Sequence, residues 1–221
     1  MASHPTKQVK DVKVEHKAHP TRSGEEEQRI RKLVQSSRRG DEGAFEELVK
    51  AFYGPVYNMA LRMVSDRDDA ADLTQEIFVK VCRSLKTFRG RSKFSTWLFA
   101  LAANQCRSGL RKRLRIRSRE THLQTAENED GHAWRSEPAD PEDGPDRILV
   151  RRELRERIEK AIAALPEDFR MTIVLRDLQG LTYEEIAAAQ RCSLGTVKSR
   201  LSRARLQVKE MLREAGDVAM M

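Results

Sequence analysis

One acidic, proline-punctuated stretch cuts this chain in two, and on both sides of it apolar residues recur at helical spacing. Between Thr121 and Pro145 the sequence combines acids, Gly and three of the chain's seven Pro with almost no apolar periodicity, which is the pattern of a linker between domains. Charge reverses sharply at its edge. Arg107 to Arg119 carries seven basic residues and no acid, whereas Glu120 to Asp146 carries nine acids against Arg135 alone, a net of −8. At 221 residues there is room for one large or two modest domains, at roughly 150 residues each. Only 5% of residues are aromatic, so any core is built mainly from Leu, Ile, Val and Ala packed between helices. The expected fold is all-α: two small helical domains joined by an acidic flexible linker.

The first half carries helical patterns throughout. Met1 to Ser23 lacks periodicity and reads as a disordered basic tail; His4, His16 and His19 fall there, without the third ligand a metal would need. Ile30, Leu33 and Val34 mark a first helix. Phe45, Leu48, Val49 and Phe52 mark a second, with Asp41 as its N-cap. Gly54-Pro55 is expected to interrupt it before Tyr57 to Val64 resume. A third helix starts at Asp66 to Asp69 and runs to about Leu85, a loop follows around Gly90, and Phe94 to Arg113 form the last.

Beyond the linker, Ile148 to Leu165 predict one helix and Pro166 opens another as its first residue, ended by Gly180. Thr182 to Glu185 have the spacing of a capping box, and Ser193 caps a final helix to about Arg213. A short helix, a tight turn at Arg191 to Ser193 and a longer basic helix have the outline of a helix-turn-helix. Val197, Leu201, Ala204 and Val208 fall on one stripe that seats on the preceding helices, leaving Lys198, Ser199, Ser202 and Arg203 facing away. Those four suit base edges, while Arg200 and Arg205 flank the face and suit phosphates. Thr196 and the free N–H groups after Ser193 offer a further phosphate contact.

Two other clusters stand out. In the run FRGRSKFSTWLF, the aromatics Phe88, Phe94, Trp97 and Phe99 interleave with Arg89, Arg91 and Lys93, a combination that suits single-stranded nucleic acid because a base stacks on a ring while its phosphate meets a charge. Helical spacing competes with this, since Phe94, Trp97, Leu98 and Leu101 share a face and can equally be core. Asp69, Asp72 and Glu76 lie within about 60° on one helix face beside the apolar arc Ala70, Leu73, Ile77 and Val81, which is either ordinary surface or the rim of a partner interface.

The formal charge of +8 favours polyanionic partners, although a solvated basic surface gives the same total. Cys82, Cys106 and Cys192 are widely spaced and outside any CxxC pattern, which suggests neither a disulfide framework nor a zinc site and fits a reducing cytoplasm. No apolar run approaches the ~18 residues of a spanning helix. Nuclease chemistry would need clustered carboxylates for metal ions or a His-centred acid and base, and the dense acids from Asp66 to Glu76 have no His among them. No cofactor is expected. A free-standing helix-turn-helix regulator is the alternative reading, but nothing in the chain has the pattern of a dimerisation coiled coil.

The run GLTYEEIAAAQRCSLGTVKSRLSRARLQVK, preceded by LPEDFRMTIVLRDLQ, resembles region four of the extracytoplasmic-function (ECF) sigma factors within the sigma-70 family of bacterial RNA polymerase. GDEGAFEELVKAFYGPVYNMALRMV and DAADLTQEIFVKVCRSLKTFRGRSKFSTWLFALAANQCRSGLRKR resemble region two of the same family. What the resemblance implies is a cytoplasmic, non-enzymatic specificity factor that binds core polymerase, through the β′ clamp helices and the β subunit, and promoter DNA. As commonly happens in that family, an anti-sigma factor is a further expected partner. It divides the chain into a tail over 1–24, a region-two domain over 25–117, an acidic linker over 118–146 and a region-four domain over 147–215. Asp69, Asp72, Gln75, Glu76 and Phe78 fall on polymerase-docking positions. Arg89, Arg91, Ser92, Lys93, Phe94, Trp97, Asn104, Arg107 and Arg111 fall where the family holds the melted minus-ten strand. Lys198, Ser199 and Arg203 become the foremost base contacts at the minus-thirty-five element, with Thr196, Arg200, Ser202 and Arg205 around them. The linker is either a soluble spacer or, as the family implies, a strand whose negative charge stands in for nucleic acid in polymerase channels.

Overall fold

A computed structural model describes residues 24–120 and 145–214, the side chains of 112–120, 145–149 and 151 excepted. The tail over Met1 to Ser23, with its three His, and the linker residues 121–144 lie outside the described residues. Every regular element among those described is helical. Four helices form the first half: α1 (Gly24–Arg38), α2 (Glu42–Val64), α3 (Arg67–Ser84) and α4 (Phe94–Glu120), with a short 3-10 turn at Leu85–Thr87. The second half contains α5 (Pro145–Ala164), α6 (Glu167–Ile173), α7 (Tyr183–Gln190) and α8 (Leu194–Glu214).

Side-chain caps set several of these boundaries. Asp41 accepts a hydrogen bond from the Ala44 N–H at 3.0 Å and Asp66 accepts one from Asp69 at 2.8 Å, each satisfying a donor that the first helical turn leaves free. Between α2 and α3, Ser65 takes the left-handed conformation at φ 58° and donates its N–H to the Leu61 carbonyl.

The break expected at Gly54-Pro55 does not occur, and α2 runs through it. Pro55 removes one backbone donor, but Phe52, Val56, Met59 and Ala60 on both sides of it are buried and hold both turns on the core. Further on, α4 continues past Arg113 to Glu120; the run of Arg and Lys contains no breaker, and both are good helix formers.

Pro166 stands one position earlier than expected. It is the N-cap of α6, with its carbonyl accepting from Phe169 and Arg170. After Ile173 the helix widens into a π-turn at Val174–Leu178, closed by the Gln179 N–H to the Val174 carbonyl at 3.1 Å, and Gly180 ends it at φ +69°. The capping box of α7 forms in both directions: Glu185 N–H to Thr182 Oγ1 at 3.2 Å and Thr182 N–H to Glu185 Oε2 at 2.8 Å.

The core of the first half is aromatic at its centre. Phe52 meets Phe94 edge-on at 5.3 Å, and Phe94 meets Phe88 at 5.9 Å. In the second half Leu165, Met171, Leu175, Ile186, Val197 and Ala204 are buried together, and Thr172 and Gln190 satisfy each other inside that core.

The two halves pack against each other rather than standing apart, with α4 against α7 and α2 against α5 and α6. Arg170 fastens this junction. Its guanidinium donates to the Ala163 carbonyl, to Leu165 O at 3.0 Å and, across to α2, to Met63 O at 3.0 Å. Gln179 adds a bond to the Pro55 carbonyl at 3.3 Å.

On α5, burial pushes the Glu159 carboxyl up to about 7, against the attraction of Arg62 and Arg155. A carboxyl raised from 4.5 holds its proton in the folded state where the unfolded chain has released it, so its contribution is greatest below pH 4.5 and is lost as pH rises to about 7. Glu159→Gln is therefore expected to raise the melting temperature above that pH and to flatten its decline between the two values, as measured by circular dichroism across a pH series.

Candidate nucleic-acid interface

The last two helices present a built surface. At its turn, Arg191 is left-handed at φ 53° and its N–H closes α7 onto the Ala187 and Ala188 carbonyls. Ser193 Oγ accepts the Thr196 N–H at 3.1 Å and lies 2.9 Å from Thr196 Oγ1, so the half-buried Thr196 is engaged in the cap. Val197, Leu201 and Ala204 are buried, Val208 is half-buried, and Lys198, Ser199, Ser202 and Arg203 are exposed along the opposite arc. Ser199 turns its hydroxyl back to the Thr196 carbonyl at 3.0 Å.

The two flanking arginines are placed differently from these four. Arg200 is half-buried and donates to Gln190 Oε1 at 2.8 Å and to the Asp168 carboxylate. Arg205 makes a two-pronged pair with Asp177, at 2.7 and 3.3 Å, and hydrogen bonding to that carboxylate holds its guanidinium above the usual range. Both pairs tie α8 to the α6 segment, so these side chains are first of all joints of the second half.

In the first half, Gly90 at φ +69° turns the chain between α3 and α4, and Arg89, Arg91, Ser92 and Lys93 are all exposed on that loop. Beneath them, Phe94 is 4% exposed and belongs to the core. Trp97 is half-buried, packed on Phe88 at 5.2 Å and Phe94 at 5.8 Å, so it walls the loop and keeps part of its ring at the surface. Along α4, Asn104 donates to the Ala100 carbonyl at 2.9 Å, and Arg111 is exposed. Arg107 is turned inward, 3.3 Å from Glu167 Oε1 and 3.3 Å from Asp168 Oδ1.

A separate acidic face lies on α3. Asp72, Gln75 and Glu76 are exposed, Asp69 is half-buried, and Ala70, Leu73, Ile77 and Val81 are buried behind them. Glu76 accepts from Gln105 of α4 at 3.2 Å. Phe78 is 8% exposed and stacks on Tyr53 at 6.2 Å, which in turn stacks on Tyr57 at 6.2 Å. The pairing of Tyr53 with Tyr57 was not foreseen from the sequence, although their spacing of four on α2 is the signal that could have found it. The counter-ions Glu167, Asp168 and Asp177 were also missed; only the two acids in the first turn of α6 hinted at them.

Among the described residues, no helix is long and apolar enough to cross a membrane. The family model described as Sigma-70 region 2 matches residues 48–116, and that described as Sigma-70, region 4 matches residues 155–208. Over 188 residues the chain is 36% identical to the RNA polymerase sigma-H factor of Pseudomonas aeruginosa, covering 83% of this chain and 95% of that protein. Over 174 residues it is 40% identical to the ECF RNA polymerase sigma-E factor of Escherichia coli, covering 78% and 88% respectively. Among solved structures, the sigma factor RpoE of Bartonella quintana, in complex with the anti-sigma factor NepR, aligns with a TM-score of 0.59 at 27% identity, over 76% of this chain and 96% of that one. CnrH in complex with the cytosolic domain of CnrY gives the same TM-score at 22% identity, over 84% and 98%, which is a likeness of fold.

The different placement of neighbouring arginines can be measured on the free protein. Arg205→Ala is expected to lower unfolding free energy by about 1–2 kcal/mol, since a partly exposed two-pronged pair is lost. Arg203→Ala should change it by less than about 0.5 kcal/mol, as surface substitutions do. Urea denaturation followed at the helical circular dichroism band compares the two.

Proposed function

The chain belongs to the ECF sigma factors of the sigma-70 family, which direct core RNA polymerase to promoters and carry no catalysis of their own, and from this premise we propose how its surfaces divide that work. Residues 25–117 act as the region-two domain and 147–215 as the region-four domain, with 1–24 and 118–146 as tail and linker. The α8 arc of Lys198, Ser199, Ser202 and Arg203 reads base edges of the minus-thirty-five element in the major groove. Thr196 lies at the phosphate end of that helix, and Arg200 and Arg205 steady it.

The loop Arg89 to Lys93, walled by Trp97 and underlain by Phe94, takes the melted minus-ten strand; Asn104, Arg107 and Arg111 continue the contact along α4. A base freed from the duplex gains ring contact at Trp97 while its phosphates meet the loop cations, so binding energy favours the open strand without a catalytic group. The α3 face of Asp72, Gln75 and Glu76, with Asp69 at its edge and the Phe78–Tyr53–Tyr57 row beside it, docks on core polymerase: charges set orientation and the aromatic row supplies apolar area. By analogy with its relatives the protein works in the bacterial cytoplasm and is a target for an anti-sigma factor.

The observation that carries this reading is the exposed polar arc of α8 lying over the buried Val197, Leu201 and Ala204. Run-off transcription with core polymerase across a genomic promoter library, with and without the chain, tests it: specific initiation must appear only when the chain is added.

Two variants test the assignments. Arg203→Ala should cost about 1–3 kcal/mol in binding the cognate promoter and less on unrelated DNA; equal losses on both would make Arg203 a phosphate contact. Asp72→Lys with Glu76→Lys should abolish core polymerase binding in a pull-down while the circular dichroism spectrum is retained, because both charges reverse on an exposed helix face.

A further inference from the structure

Inside the second half, four residues from three helices close a ring of hydrogen bonds. Arg200 of α8 donates from one terminal nitrogen to Gln190 Oε1 at 2.8 Å and from the other to the Asp168 carboxylate. Gln190, the last residue of α7, donates its amide to Thr172 Oγ1 at 2.9 Å, and that hydroxyl donates to the Asp168 carbonyl at 2.6 Å. Thr172 is fully buried and Gln190 is 7% exposed, so neither can turn to water instead. Gln190 immediately precedes the left-handed Arg191 of the turn, and Arg200 stands in α8 between Ser199 and Ser202 of the exposed arc.

We propose that Gln190 is a positioning residue for promoter reading: backed by Thr172, it holds Arg200 so that the arc of Lys198, Ser199, Ser202 and Arg203 is presented at one fixed rotation of α8. The inference rests on the assignment of that arc to the minus-thirty-five element. Val197, Leu201 and Ala204 seat the helix by burial, but apolar burial is non-directional and tolerates a small roll about the axis. Hydrogen bonds are less tolerant, because they weaken steeply as distance and angle leave their optimum. A helix with its side chains is about 5 Å in radius, so a roll of about 20° carries a side-chain tip about 2 Å sideways, enough to break a contact with a base edge. The ring adds little net stability, since its members are hydrogen-bonded to water in the unfolded chain. What it adds is a single arrangement in which they satisfy one another. Both terminal nitrogens of Arg200 are committed to it, so the part of Arg200 in reading is to orient its neighbours.

Holoenzyme formed from core polymerase and the full chain is assayed by run-off transcription on a promoter found in the library screen and on the same promoter with its minus-thirty-five element replaced. The ratio of the two is compared for the parent, Gln190→Met, Gln190→Met/Thr172→Val and Gln190→Glu, with circular dichroism and urea denaturation reporting folding. The double variant exchanges both buried partners for apolar groups of similar shape and leaves neither as a lone polar group, whereas Gln190→Glu keeps an acceptor for Arg200. Gln190→Met/Thr172→Val should lower the promoter ratio about tenfold, the discrimination carried by one good base contact, with the helical signal retained and competition by unrelated duplex DNA unchanged. Gln190→Met should lower the ratio likewise, and Gln190→Glu should restore most of it. The inference is overturned if the apolar variants keep the parental ratio, if Gln190→Glu is as poor as they are, or if the ratio falls only where the folded signal is lost. Should the parent itself fail to distinguish the two promoters, the assignment of the arc to the minus-thirty-five element falls, and the inference with it.

Discussion

The corner between α5 and α6 is held to α2 by a half-buried guanidinium. Arg170 gathers the carbonyls that α5 leaves free at Ala163 and Leu165, then reaches the Met63 carbonyl near the end of α2. Helix ends cannot be buried without such donors, and here one side chain answers for ends in both halves. Desolvation lowers its pKa, with the charge of Glu167 opposing the change. A cation kept at that cost is tolerable because it serves backbone acceptors that water no longer reaches. With the α5–α6 corner fixed in this way, Glu167 and Asp168 are set at the start of α6, where they meet α4 and α8.

What could be seen in the sequence was mostly local. Asp41, Thr182 with Glu185, and Ser193 signal their caps within three or four residues, and each forms the predicted bond. The stripe of Val197, Leu201 and Ala204 was visible because 3.6-residue periodicity is a property of the helix itself. Pro55 misled for the complementary reason. Its local rule is to break helices, and burial of Phe52, Val56, Met59 and Ala60 overrides that rule from outside the segment.

The charged residues show the same divide. Lys198, Ser199, Ser202 and Arg203 face outward as helical geometry demands, whereas Arg107, Arg200 and Arg205 find their acids 28 to 61 positions away in the chain. No periodicity announces a pairing of that range. A basic residue on a nucleic-acid-binding helix can serve the ligand, the fold or both in turn, and only the folded chain shows which carboxylate lies within reach.

The π-turn at Val174–Leu178 has a consequence of its own. It spends an extra residue on the last turn of the α6 segment, which ends at Gln179 and Gly180. Arg176 then donates to the Leu181 carbonyl at 2.7 Å and Gln179 reaches the Pro55 carbonyl, while the Thr182 cap begins α7 on schedule. The segment acts as a spacer of fixed count rather than a hinge. An inserted or deleted residue there would pull Arg176 and Gln179 off the carbonyls they hold, a disturbance that a surface loop would absorb.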